Sequence, residues 1–216
     1  MCFCLLYRIY LTGVGRWMHN RDLADVRTKH IHPHCEYSKE SGAPQHFFVD
    51  GNFQVIPVPY LKDNLGYILL WVPTGKYCLV DPGDFDAVHD VMKEYGVKGA
   101  PEAILTTHKH WDHAGHNQNF VDAYPDVRII SGEDEPVYAS NEKINLQQLE
   151  LLDGNIIVGG VQSHSHTSYH TMFTVHPKGV DEHLIFTGDN IFEGGVGMFL
   201  EGSAMNMHES LWNMFF

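Results

Sequence analysis

Three histidines and a carboxylate fall within the six residues that follow Thr107, in His108-Lys109-His110-Trp111-Asp112-His113. Imidazole nitrogen and carboxylate oxygen are the donor set that suits zinc, and iron or manganese where carboxylates take a larger share. Spacing adds to composition. Ala103-Ile104-Leu105-Thr106 reads as a buried strand, and Ala114-Gly115-His116 marks where a helix begins. Side chains alternate along an extended segment, so His108 and His110 point to one side. The turn after Trp111 swings Asp112 and His113 onto a second, adjacent point. Two neighbouring metal ions are the natural occupants. The chain holds 16 histidines, so a merely histidine-rich loop is the competing reading, yet a scattered surplus seldom gives this order directly after a strand. Paired metals there would polarise a carbonyl oxygen and lower the pKa of a bridging water from about 15.7 toward about 7, giving hydroxide at neutral pH.

The elements that must position these donors are legible on both sides. Strands are expected at Phe53-Gln54-Val55-Ile56, Gly66 to Val72 and Tyr77 to Val80, with Pro73-Thr74-Gly75 as a hairpin connection and Pro57 and Pro59 marking an edge or the end of the first strand. Phe85, Val88, Val91, Met92 and Tyr95 recur at helical spacing, with Asp84 as cap and Gly96 as stop. A helix near Asn117 to Tyr124 and strands at Val127–Ser131, Asn155–Val158, Thr171–Val175 and His183–Phe186 continue an α/β alternation. Ser203 caps a final helix whose apolar face includes Met207, Leu211, Met214 and Phe215. That face, with Trp212, is expected to lie uncovered and to drive self-association.

Residues 1–50 are expected to be an N-terminal extension and linker, and 51–216 one domain; 216 residues with 44% hydrophobic content suffice for a single core. Lys and Arg number 14 against 27 Asp and Glu, a formal charge of -13, which disfavours nucleic acid and anionic membrane as partners. Cys2, Cys4, Cys35 and Cys78 have no disulfide-framework spacing, as expected of a reducing compartment. Arg8 and Arg16 interrupt the apolar N-terminal stretch, so it is no firm membrane span. Arginines at 8, 16 and 21 with no acidic residue before Asp22 resemble a mitochondrial presequence; a peripheral extension is the alternative, and the expected location is cytoplasmic or mitochondrial. His30, His32 and His34 alternate within what reads as a solvated linker.

From Phe53 onward the chain resembles the metallo-β-lactamase superfamily, and within it the glyoxalase II (hydroxyacylglutathione hydrolase) branch. The resemblance rests on four motifs in order: Val80-Asp81-Pro82-Gly83, the H-x-H-x-D-H run at His108 to His113, His166-Thr167-Ser168-Tyr169-His170, and Phe186-Thr187-Gly188-Asp189. It implies a four-layer αββα sandwich, incomplete at the C-terminus. It also implies one metal on His108, His110 and His166, a second on Asp112 and His113, and Asp189 as the bridge, with Asp112 or Asp189 steering the proton. Zinc is the expected cofactor, with iron or manganese as alternatives. His164 and His170 compete with His166, which alone has the Thr-x-x-His step after it. Asp81 is expected to support the ligand loop, Lys109 and Trp111 to face away from the metals, and His116 to lie on a helix surface.

The implied activity is hydrolysis of a small-molecule thioester, glutathione-derived in the family. The alternatives are a mononuclear iron persulfide dioxygenase and an inactive metal-binding relic. Two departures bear on this. The family's last metal histidine, in a Gly-His-Glu segment beyond the bridging aspartate, would fall past Phe216, so the chain is expected to be C-terminally truncated; the alternative is that His208 substitutes, from within a helix and on a shorter span. The family's Gly-Cys-Gly-Lys-Phe-Tyr-Glu-Gly segment is Gly195-Val196-Gly197-Met198-Phe199-Leu200-Glu201-Gly202, so Met198 and Leu200 stand where lysine and tyrosine meet glutathione.

Overall fold

The computed structural model describes residues 46–49, 51–61, 64–192 and 194–215, without the side chains of 46–48 and 213–215. The basic N-terminal segment and the His30, His32, His34 tract lie outside the described residues. A seven-stranded mixed sheet runs in the order β1 to β7: His46–Phe48, Phe53–Tyr60, Asn64–Trp71, Lys76–Val80, Ala103–Thr106, Arg128–Gly132 and Glu142–Ile144. The first four strands pair antiparallel and β4 to β7 pair parallel. Among the described residues the sheet thus includes His46–Phe48, ahead of residue 51. Pro57 and Pro59 lie inside β2, which continues to Tyr60. Among the described residues β1 pairs only with Phe53 to Val55, so no described strand loses a ladder bond to the prolines on that flank.

Strand alternation splits the apolar residues into two cores. Cys78, Val80, Leu105 and Ile130 face a second sheet, while Tyr77, Leu79, Ile104 and Ile129 face helices. Helix α1 (Phe85–Tyr95) forms where expected. The Asp84 carboxylate accepts the Ala87 N–H at its start, Gly96 ends it in the left-handed region at φ 68°, and Val88 and Met92 are buried on the sheet. After the single turn α2 (Trp111–Ala114), α3 (Asn117–Ala123) buries Phe120 in the same layer. Each such fully buried side chain contributes about 1.5–3 kcal/mol.

The second sheet is antiparallel, ordered β11-β10-β9-β8, from Leu149–Leu151 (β8), Ile156–Ser163 (β9), His170–Pro177 (β10) and Leu184–Phe186 (β11). Phe173, Val175, Phe186, Leu151 and Val158 complete the inter-sheet core. Helix α4 (Ala204–Phe215), started by the Ser203 hydroxyl accepting the Asn206 N–H, packs on β9 from outside and makes the fourth layer. Met207, expected on an uncovered face, is only 4% exposed, with its sulfur 3.7 Å from the Ser165 hydroxyl. The helix turns that side inward because β9 offers it an apolar surface; Met205 and Trp212 remain exposed.

The two sheets meet at one rim. Thr171 N–H at the start of β10 donates to Thr107 O just past β5, at 2.9 Å. A short hairpin of β12 (Ile191–Phe192) and β13 (Gly195–Val196) lies beyond β11.

Candidate metal centre

Three loops deliver the donors to that rim. The end of β5 carries His108 and His110, the turn before β10 carries His166, and a 3-10 turn after β11, Gly188–Asn190, carries Asp189. His110 Nδ1 stands 3.0 Å from both His108 Nε2 and His166 Nε2. Asp189 Oδ2 lies 3.3 Å from His166 Nε2 and 4.0 Å from His108 Nε2. His166 therefore joins the cluster. His164 is exposed, its Nδ1 against Ser168 O at 2.5 Å, and His170 lies buried behind His108, ring on ring at 4.7 Å.

The outer nitrogens fix the tautomers. His166 Nδ1 faces Met198 O at 2.9 Å, an acceptor only, so that nitrogen carries the proton. His108 Nδ1 meets the Thr107 hydroxyl at 3.0 Å, whose own proton goes to Asp81 Oδ2 at 2.7 Å. Both Nε2 atoms are then lone pairs converging on His110 Nδ1, which cannot donate to both. A cation placed among them would resolve this. Zinc–nitrogen bonds of about 2.0–2.1 Å imply a donor–donor edge of about 3.3 Å in a tetrahedron, and the observed separations bracket it.

A second group, Asp112, His113 and Asp189, adjoins the first. His113 Nε2 is 3.1 Å from Asp189 Oδ1 and 3.7 Å from Asp112 Oδ2, buried and without a hydrogen-bond partner. The two oxygens of Asp189 thus face different clusters. Asp81 holds the whole turn: its carboxylate accepts the Thr107 N–H (2.8 Å), the Thr107 hydroxyl and His113 Nδ1–H (3.0 Å). Asp112 is steadied by Asn64 Nδ2 at 3.1 Å, and the Tyr60 hydroxyl reaches both Asp81 O and Asp112 O at 2.9 Å. Glycine is required at two approaches. A Cβ on Gly83 would sit 2.0 Å from Asp112 O, and one on Gly197 would sit 1.7 Å from Asp189 O.

Electrostatics follow the packing. Burial, then crowding by His113, His170 and the other ring neighbours, holds His108 well below its ordinary value. Burial and His166 bring His110 down to about 4. His166 is lowered by burial as well. These imidazoles are neutral at pH 7 and present lone pairs, the form a metal needs. Burial would lower His113 too, but Asp81, Asp189 and Asp112 around it hold it well above the ordinary value. Burial would raise Asp189; the His113 imidazole beside it pulls it to about 2. A positive charge is called for between His113 and Asp189, as a proton or as a metal.

Sequence spacing missed several residues. His116 is 4% exposed, not on a helix surface: it precedes α3 and its Nδ1 accepts the Phe85 N–H at 2.7 Å, tying α1 to the ligand turn. Asn190 donates to His170 Nδ1 at 2.8 Å while its carbonyl accepts from the Ser163 and Ser165 hydroxyls. Glu135, fully buried, accepts the Lys109 N–H at 2.9 Å. Lys109 itself points away from the donors to Glu201, as expected. His208 lies exposed on α4 against Trp212.

Residues 61–214 match the metallo-beta-lactamase superfamily, and the chain belongs to it. The chain has curated relatives named hydroxyacylglutathione hydrolase. It is 35% identical over 167 residues to a probable hydroxyacylglutathione hydrolase of Schizosaccharomyces pombe, across 74% of this chain and 62% of that protein. It is 32% identical over 158 residues to the cytoplasmic hydroxyacylglutathione hydrolase of Arabidopsis thaliana, across 73% and 60%. The chain spans about three-fifths of the length of these relatives. A metallo-beta-lactamase from Cronobacter sakazakii shares the fold, with a TM-score of 0.59 at 13% identity over 79% of this chain and 76% of that one.

Proposed function

We propose that this domain is the metal-binding part of a thioester hydrolase of the hydroxyacylglutathione hydrolase type. The observation that carries this is Asp189, whose two oxygens face two adjoining donor clusters, Oδ2 toward His166 and Oδ1 toward His113. His108, His110, His166 and Asp189 would hold one cation, and Asp112, His113 and Asp189 a second. Zinc is favoured by three imidazole nitrogens and one carboxylate. Bound there, the cations would supply Lewis acidity toward a carbonyl oxygen and acidify a water. The chain's own part is positional. Asp81 and Thr107 orient His108 and His113, Met198 O orients His166, and Asp112, about a quarter exposed, is placed to take up and pass a proton. A thioester suits this arrangement because thiolate leaves without a strong general acid.

The carrier thiol is a separate matter. Met198 is 69% exposed on the segment whose backbone holds His166, and the nearby cation Lys109 is paired with Glu201 at 2.7 Å. The test is metal content together with kcat/KM for an acylglutathione and for an acyl ester of a small neutral thiol. Metal-dependent turnover of either, lost in His108→Ala, is expected. A metal-loaded protein that cleaves neither would overturn the proposal.

A further inference from the structure

Glu201 lies outside both donor clusters, yet it joins two of the loops that build the first. Its carboxylate accepts from Lys109 Nζ at 2.7 Å and from the Ser168 N–H at 2.8 Å. Lys109 sits between the donors His108 and His110, and Ser168 lies two residues past His166. The pair is largely sheltered, with 14% of the lysine side chain and 19% of the glutamate side chain exposed, so water screens it little.

The rest of the segment reinforces the same contact. Gly202 N–H donates to Ser165 O at 3.0 Å, and Met198 O takes the His166 Nδ1 proton at 2.9 Å. A Cβ on Gly202 would fall 2.0 Å from His164 O, so the backbone is seated directly against the His166 turn. From the other side, Glu135 accepts the Lys109 N–H at 2.9 Å. Lys109 is therefore held at its main chain by one carboxylate and at its tip by another. Without Glu201, the largely sheltered ammonium loses its paired carboxylate and Ser168 N–H its acceptor, and both costs fall on the loops carrying donors.

We infer that Glu201, acting through Lys109 and Ser168, is a positioning residue that sets the separation of His166 from His108 and His110 and thereby the affinity of the first cluster for its metal. This rests on the reading of that cluster as a metal site. Partners one step removed from a metal typically change its affinity ten- to a hundredfold when removed.

The experiment is competition of the metal-free protein with a chelator for Zn2+, and the visible absorption of Co2+ bound in its place. It compares the parent, Glu201→Ala, Glu201→Gln and Lys178→Ala. The last removes a charge from an exposed pair, Lys178 with Glu150, 57% exposed on both sides. Glu201→Ala is expected to weaken the tighter Zn2+ ten- to a hundredfold and to alter the Co2+ bands. Glu201→Gln, whose amide oxygen still accepts from Ser168, should fall between it and the parent, and Lys178→Ala should match the parent. A folded Glu201→Ala with parental affinity and spectrum would overturn the inference. So would loss of fold in both Glu201 variants, which would assign the residue to the fold. If the parent itself binds no Zn2+, the metal reading fails before Glu201 is reached.

Discussion

The cluster of His108, His110, His166 and Asp189 gathers four donors from three loops, whereas its neighbour of Asp112, His113 and Asp189 has three, two of them consecutive in sequence. The difference extends outward. In the first, His108 is fully buried, and His108 and His166 each spend their outer nitrogen on a fixed acceptor. In the second, His113 is anchored through Asp81, while Asp112 is held by the Asn64 amide and is a quarter exposed. A donor set in which two tautomers are preset loses less freedom on taking a metal, and one with fewer donors keeps more room for water or substrate. The first cluster should grip and the second should exchange.

Asp189→Ala strikes both clusters at once and should have the largest effect, exceeding the about hundredfold that outer partners alone cost. Elemental analysis should find neither metal retained, and one metal still held at parental affinity would break the idea of a shared ligand. Next is the substrate side. Met198→Lys with Leu200→Tyr beside His166 should add a charge-assisted and a neutral hydrogen bond to a carboxylate-bearing carrier, roughly 1.5–3 and about 1 kcal/mol. That is at most on the order of a hundredfold in kcat/KM for an acylglutathione, with little change for a neutral thioester. Equal gains for both would show that these positions do not face the carrier.

Mild chelation sharpens the contrast directly. One metal should remain per chain, a difference of about tenfold or more in Kd, or about 1.4 kcal/mol. Asp112→Ala should leave the retained metal in place and His110→Ala should lose it; the reverse would exchange the two roles.

Acid separates the clusters in the metal-free protein. His110 titrates near 4 when folded and near its ordinary 6.5 when unfolded. Between those values the unfolded chain binds more protons, so stability present above pH 6.5 is lost as pH falls toward 4, by up to about 1.4 kcal/mol per pH unit for one proton. His113 has the opposite sign: its raised value contributes stability below 6.5 that is lost as pH rises through it. Urea melts between pH 4 and 7 should therefore fall with acid, and His110→Asn should flatten the slope. The smallest effect is expected from Tyr60→Phe, which removes the hydroxyl shared by Asp81 O and Asp112 O, at about 1 kcal/mol of stability, with looser binding confined to the second cluster.

Much of the site and its supports is legible in the order of residues alone. The donors from His108 to His113, the strand ahead of them, the Asp84 cap and Gly96 stop of α1, and Ser203 ahead of α4 are all set by spacing over a few residues, where backbone geometry alone fixes which side chains share a face. What spacing could not show lies across long separations. His166 meets His110 from 56 residues away because Thr171 is hydrogen-bonded to Thr107 where the two sheets join. The burial of His116 and Met207, the Asn190 support of His170 and the reach of Glu201 to Lys109 likewise came from packing. The amino-acid order determined the local donors and the helices and strands that carry them. Only the closing of one sheet on the other decided which distant loops converge, because that depends on how whole apolar faces bury each other rather than on any residue's neighbours in the chain.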